Sequence, residues 1–334
     1  MISSQSYGRI GFIGNPSDGF NGKTISFSLK NFSANVFLQE NDKLEIVHNA
    51  DDRSTFNDIY ELREDVLNHG YYGCIRLIKA TIKKFSDICI EKNIPLNKNF
   101  RILYNTSIPR QVGLGGSSAI VASTFKALQE FYNTKNFIQK ELLPQVYLDI
   151  EQEELGIKAG LQDRVIQVYP GLVYMDFTKE AFAQNNNLYG NYKKLDYSLP
   201  NMFLAFSKTR KTESGKAHNE IRMKHQQGDK HIIDKMNQIA LLTDKALQAL
   251  QTNNIVLLKQ LINQNFDLRR EVYGDEIIGR ENLRLIQIAR DIGHCSKLTG
   301  SGGAVFGIYN SEQEFNNLEH AYKSEGFNIT KVII

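Results

Sequence analysis

Cysteine is scarce in this sequence. Cys74, Cys89 and Cys295 are the three cysteines among 334 residues, and no CxxC pair exists. A disulfide framework is therefore excluded as an organising device, and a reducing cytoplasm is the simplest setting. The seven histidines are scattered, none at a metal-ligand spacing from a cysteine, which argues against a structural zinc. Long apolar runs are missing: no stretch approaches the roughly 18 residues that cross a bilayer. The segment MISSQSYGRIGFIGN lacks the basic-then-apolar pattern of a signal peptide, so no membrane partner is expected. Net charge is also small. Forty Lys and Arg stand against 37 Asp and Glu, leaving +3, which does not match the dominant basic stripe of a nucleic-acid binder. Proline is rare, at 6 residues, and aromatics make up 10%, a composition unlike that of disordered chains.

What remains is an ordinary globular composition, 41% hydrophobic and 23% charged. The length predicts about two domains and a core that needs no staples. The first forty residues read as β. TISFSLK at 24–30 alternates polar and apolar residues, and VFL at 36–38 and LEIV at 44–47 continue the pattern, with a polar turn at Glu40, Asn41 and Asp42 between the last two. A helix is expected from about Tyr71 to Ile94, where Ile75, Ile78, Ile82 and Phe85 form one face. RILY at 101–104 reads as a strand, followed by a helix from Ser117 to about Tyr132 and another over 138–155. LVYMDF (172–177) and MFLAF (202–206) read as strands, and the weakly patterned segment 178–200 suggests a soft domain boundary. The remainder predicts helices over 230–252, 254–272, 280–293 and 311–325, with strands at 304–308 and TKVII. Helices and strands mix without a regular βαβ period, so the fold class is α+β.

The segment Pro109-Arg-Gln-Val-Gly-Leu-Gly-Gly-Ser-Ser-Ala119 is the most informative. Gly113, Gly115 and Gly116 let backbone N–H groups approach a ligand. Ser117 and Ser118 open an apolar-periodic helix, whose N-terminus carries unsatisfied donors and a partial positive charge. Together these features make a phosphate cradle, although a serine-capped tight turn has the same composition. A Walker A loop is excluded, because Ser17 stands where Gly22-Lys23-Thr24 would need its first glycine. The dinucleotide fingerprint fails as well, with Ser118 in place of the third glycine. A second glycine cluster, Lys297-Leu-Thr-Gly-Ser-Gly-Gly-Ala304, leads into a strand. It reads either as a flexible loop or as a second wall of the same ligand site.

Three segments, Arg9 to Asp18, Pro109 to Ala119 and Lys297 to Ala304, resemble in order and spacing the motifs of the GHMP kinases. That superfamily contains galactokinase, homoserine kinase, mevalonate kinase and phosphomevalonate kinase. The resemblance implies a two-domain architecture. The N-terminal domain (1–198) would resemble domain 2 of ribosomal protein S5, and the C-terminal domain (199–334) would be ferredoxin-like with extra helices, with ATP between them. Galactokinases carry Gly-Glu-His before the motif-one Asp. Here Asn15-Pro16-Ser17 precede Asp18, and segments 14–32 and 214–229 resemble the members that phosphorylate glucuronate. The resemblance implies transfer of the ATP γ-phosphoryl group to the anomeric hydroxyl of a sugar acid, D-glucuronate. The alternatives are another sugar, a heptose phosphate, a mevalonate-type alcohol or a non-catalytic regulator on the same scaffold.

By the same resemblance, Gly113, Leu114, Gly115, Gly116, Ser117, Ser118 and Ala119 bind the ATP phosphates, and Thr299, Gly300, Ser301, Gly302 and Gly303 form the third-motif loop. Mg²⁺, a hard cation taking one or two protein oxygens, is assigned Ser118 and Glu151; the neighbouring Glu153 and Glu154 also suit a solvated helix end. Asp163 is the catalytic carboxylate, with Arg9 as a nearby cation that stabilises charge on the attacking oxygen. Asn15 and Asp18 face the sugar. Residues 207–230 hold seven Lys or Arg against three Asp or Glu. This basic stretch is expected to form a mobile cover, with Lys216, His218 or Arg222 reaching the anionic substrate, or else a plain exposed loop. The expected partner is one small molecule, with the protein a cytoplasmic monomer or homodimer.

Overall fold

The structure is a computed structural model that describes residues 1–47, 74–207 and 214–334, with side chains at all of these except 74 and 214–219. In chain order the strands are β1 (Ile2–Ile13), β2 (Lys23–Glu40), β3 (Glu45–Ile46), β4 (Phe100–Thr106), β5 (Leu172–Asp176), β6 (Asn191–Leu195), β7 (Met202–Phe206), β8 (Lys297–Leu298), β9 (Ala304–Ile308) and β10 (Asn328–Lys331). The α-helices are α1 (Cys74–Glu91), α2 (Gly116–Phe131), α3 (Leu143–Gln152), α4 (Gln162–Val168), α5 (Lys179–Gln184), α6 (Ser214–Gln226), α7 (Lys230–Gln251), α8 (Ile255–Ile278), α9 (Arg280–Asp291) and α10 (Glu312–Ser324). A 3₁₀ turn spans Ser17–Phe20. No described helix is long and apolar enough to cross a membrane.

The chain forms two compact units from interleaved segments. The first comprises 1–8, 32–108 and 115–168, and the second 9–31, 109–114 and 169–334. In the first unit, the C-terminal part of β2 pairs antiparallel with β4, from Ala34↔Thr106 to Glu40↔Phe100, and β3 adds in parallel on the other side of β4. β4 alternates as a half-buried strand should: Phe100, Ile102 and Tyr104 are buried while Arg101 and Leu103 face out. Edge-to-face contacts link Phe125 with Phe85 and with Tyr147, joining α1, α2 and α3 into one core. The buried stripe of α1 runs through Leu77, Ile78, Thr81, Phe85 and Cys89. Ile75 and Ile82 of the expected face are only half-buried, because the stripe sits one position away from the face read off the isoleucines alone.

The second unit contains a four-stranded antiparallel sheet in the order β10-β7-β9-β8. The N-terminal part of β2 pairs there with β5, and β5 with β6. Helices α7 and α8 begin on side-chain caps, with Asp229 accepting from the Ile232 N–H and Asn254 from the Leu257 N–H. Phe12 packs against both Phe27 and Phe306, and Phe203 against Tyr322.

Several elements differ from expectation. The runs at 24–30 and 36–38 belong to one 18-residue strand, because the residues between them keep pairing, as Ala34 and Asn35 do with β4. Segment 178–200 holds α5, capped by Thr178, and edge strand β6. Both are short and polar, and β6 is defined by backbone pairing rather than by a buried face. The last strand starts at Asn328 rather than Thr330.

A half-buried lysine in the first unit, Lys126, makes a pH-dependent contribution to stability. Lys126 Nζ donates to the Gln167 carbonyl at 2.7 Å, and burial pushes its pKa down from 10.5 to about 8. Between those values the unfolded chain holds a proton that the folded chain does not, so stability rises with pH. Urea unfolding should show wild type gaining on Lys126→Met as pH rises from 8 to 10, by up to about 1.4 kcal/mol per pH unit. A constant difference would contradict it.

Candidate active site

Gly115 has φ +72° and stands at the N-cap of α2, a left-handed conformation that glycine adopts without cost. No side-chain oxygen caps this helix, although Thr178, Asp229, Asn254 and Ser311 cap α5, α7, α8 and α10. The first-turn amides at Gly116, Ser117 and Ser118 have no intrahelical acceptors, the arrangement by which a helix end can receive an anion. Ser118 is fully buried, and its Oγ donates to the Gly115 carbonyl at 2.8 Å. The expected cradle residues of the first unit therefore stand together at one helix end.

Asp163 lies in the first turn of α4, where a helix stabilises negative charge. Its side chain is 19% exposed, and Arg164 Nη1 lies 3.8 Å from its Oδ2. Glu151, in the last turn of α3, has a fully buried side chain whose carboxylate pairs with Arg164, itself 3% exposed. Arg164 also donates to the Gly160 carbonyl at 3.0 Å. One guanidinium thus bridges the two carboxylates assigned from the sequence. Glu153 and Glu154 pair with Lys84 and Lys83 of α1, which is the solvated-end reading of those two residues.

In the second unit, residues 112–114 and the loop 299–303 interlock. Gly113 has φ +70°, and a Cβ there would lie 2.9 Å from the Ser301 nitrogen. A Cβ on Gly300 would lie 2.4 Å from the Gly113 carbonyl oxygen, and one on Gly303 2.9 Å from Val112 Cα. These glycines let two chain segments touch backbone to backbone. Thr299 Oγ1 donates to the Gly113 carbonyl, and the Thr299 carbonyl accepts from Gly11 N and Arg9 Nη1. Arg9, 3% exposed, also donates its backbone N–H to the Leu114 carbonyl. Arg9, Gly113, Leu114 and the third loop are therefore brought together.

Three residues not singled out as site residues complete this arrangement. Lys297 is buried and gives its three protons to the Gly11 carbonyl, Asn15 Oδ1 and the Leu298 carbonyl. Burial first, then Arg269 and Arg9 nearby, hold its pKa well below the ordinary lysine range. Arg269 donates to the Gly300 carbonyl at 2.7 Å, and Asn265 binds both Gly14 N and the Asn15 carbonyl. Asn265, Arg269 and Tyr273 are spaced i, i+4, i+8 along α8, a polar stripe on a buried face. That spacing was the available signal in the sequence.

Asn15 is buried with its side-chain oxygen committed to Lys297, while Asp18 is half-buried in the 3₁₀ turn. Lys216 and His218 lie on α6, which is a helix rather than a loop, and their side chains lie outside the described residues. Arg222 lies on the same helix against Gly19, where a Cβ would approach its Nη2 to 3.2 Å.

The sequence model described as "GHMP kinases N terminal domain" matches residues 73–171, and that of "GHMP kinases C terminal" matches 246–328. The chain belongs to the GHMP kinases. Among curated relatives, Glucuronokinase 1 of Arabidopsis thaliana is 41% identical over 338 residues, covering 100% of this chain and 92% of the relative. Probable glucuronokinase 2 of the same organism is 44% identical, covering 91% and 83%. Streptococcus pneumoniae phosphomevalonate kinase shares the fold, with TM-score 0.75 at 16% identity over 100% and 99% of the two chains. As in GHMP kinases generally, the phosphoryl donor is ATP, and the open N-terminus of α2 is chemically suited to its phosphates. Magnesium fits this chain less simply. Ser118 offers a buried oxygen, but the Glu151 carboxylate is already neutralised by Arg164. A divalent cation at Glu151 would have to displace a guanidinium.

Proposed function

We propose that the chain is an ATP-dependent sugar-acid kinase that phosphorylates the anomeric oxygen of D-glucuronate, giving D-glucuronate 1-phosphate and ADP. The full-length similarity to the two Arabidopsis glucuronokinases carries this reading. The open helix end at Gly115–Ser118 and the half-open Asp163 carboxylate support it.

In this reading the amides of Gly116, Ser117 and Ser118 hold the ATP phosphates. Ser118 is the protein oxygen that would suit a Mg²⁺ ion bound with the nucleotide, and such an ion would supply neutralisation of phosphate charge. Asp163 takes the proton of the anomeric hydroxyl. That oxygen forms a bond to the γ-phosphorus as the bond from phosphorus to the β,γ-bridging oxygen breaks, and ADP leaves with the electron pair. Arg164, anchored by Glu151 and the Gly160 carbonyl, fixes the electrostatic setting of Asp163. In the second unit Arg9 and Arg269 hold the third-motif carbonyls in place, Lys297 ties down the Asn15 side chain, and Asp18 presents acceptors to sugar hydroxyls. A cytoplasmic setting, as monomer or homodimer, accords with the free, buried Cys89 and Cys295.

ADP release with Mg·ATP and parallel offers of glucuronate, galacturonate, galactose, N-acetylgalactosamine and mevalonate tests the proposal. Turnover highest with glucuronate is expected. Turnover on another acceptor and not on glucuronate would discard the substrate.

A further inference from the structure

We propose that Arg222 receives the carboxylate of the acceptor sugar acid and sets the preference for an acid over a neutral sugar; this rests on the sugar-acid reading above. Asp18, Gly19, Phe20 and Arg222 all belong to the second unit. Arg222 lies in the C-terminal half of α6, where Ile221 is buried and the His225 ring packs edge-on against Phe20 with centroids 5.0 Å apart. These two neighbours fix this part of the helix against the 3₁₀ turn that carries Asp18. The Arg222 guanidinium lies over Gly19, with Nη2, Nε and Cζ at 3.2, 3.6 and 3.8 Å from where a Cβ would stand. The guanidinium thus lies close over the backbone next to Asp18.

Three neighbouring described cations are committed. Lys297 spends its protons on Gly11, Asn15 and Leu298, while Arg269 and Arg9 each donate to third-loop carbonyls. On α6 itself, Lys224 pairs with Glu220 at 2.7 Å. Arg222 forms no ion pair with any described residue and is half-buried. Its fork of N–H donors matches a carboxylate in a bidentate geometry. Arg222, Arg269 and Asp18 all act electrostatically on Tyr273, which is 4% exposed, so the Arg222 guanidinium and the Asp18 carboxylate share one neighbourhood. A sugar whose hydroxyls reach Asp18 would present a C6 carboxylate to the neighbouring Arg222, whereas a neutral sugar would leave the guanidinium unmatched.

The test compares wild type, Arg222→Gln and Arg222→Lys with D-glucuronate and with D-glucuronamide, its uncharged amide. Apparent affinity is read as KM, or as Ki where the amide is not turned over. For Arg222→Gln we expect a 10- to 100-fold rise in the glucuronate KM, an unchanged glucuronamide constant, an unchanged ATP KM, and partial recovery in Arg222→Lys. Gly19→Ala, which displaces the guanidinium without removing charge, should raise the glucuronate KM several-fold. It serves as the independent variant if Arg222→Gln does not fold. Equal losses for acid and amide, a rise confined to the ATP KM, or an unchanged glucuronate KM would overturn the inference. A wild type inactive on glucuronate would strike the functional reading itself, whereas an active wild type with an unaffected Arg222→Gln strikes this inference alone.

Discussion

Asp163→Asn should lower kcat with glucuronate by about 10²- to 10⁴-fold, the range supplied by a positioned general base, and leave the ATP KM within about two-fold. The amide keeps the shape of the carboxylate at the first turn of α4 and removes only its charge and basicity. Asp163 is the carboxylate best placed for this role among the acidic candidates of the first unit. Its side chain is 19% exposed, whereas Glu151 is sealed against Arg164, and Glu153 and Glu154 are tied to lysines of α1. The phosphate-binding amides of α2 are untouched by the substitution, which is why nucleotide affinity should survive. Steady-state kinetics with varied ATP and acceptor separate the two effects. A loss below about ten-fold would mean that Asp163 only orients the hydroxyl.

Glu151→Ala should destabilise the protein by about 3–5 kcal/mol, because it strands the buried Arg164 guanidinium without a counter-charge. The double variant Glu151→Ala/Arg164→Met should recover much of that loss, since removing both charges removes the desolvation cost as well. Urea unfolding of the four species forms a double-mutant cycle. The alternative, Glu151 as a magnesium ligand only, makes a different forecast. Stability would hardly change, and the Mg²⁺ concentration for half-maximal activity would rise. Because Arg164 also lies 3.8 Å from Asp163, the single variant should lower kcat too. The double variant should then recover stability without recovering activity.

How much of this was legible in the sequence depended on where the chemistry resides. The phosphate loop could be read because its requirement is local. Gly113 and Gly115 need positive φ, and the helix that follows announces itself by apolar spacing. The interlocking of Gly113 with Gly300 and Gly303 is a long-range fact that two glycine clusters only suggest. Helix α6 was read as a loop because it is polar almost all round; in its described part Ile221 is buried and Met223 exposed. Its helicity rests on packing against its neighbours rather than on periodicity. Arg164 sat beside Asp163 in plain view. That it binds Glu151, thirteen positions earlier, emerges only when α3 and α4 pack. Lys297 and Arg269 were hidden for a related reason. A buried cation that serves backbone carbonyls leaves no mark in composition, and only the i, i+4, i+8 polar stripe of α8 hinted at it.

The central claim is that phosphate goes to the anomeric oxygen of glucuronate. The most direct measurement is phosphorus NMR of the product formed from ATP and D-glucuronate. The account predicts a new phosphomonoester resonance split by the proton on C1, growing as ADP appears and absent without the acceptor. A phosphoester coupled to any other carbon's proton, or ATP left intact with glucuronate while another acceptor is consumed, would contradict it.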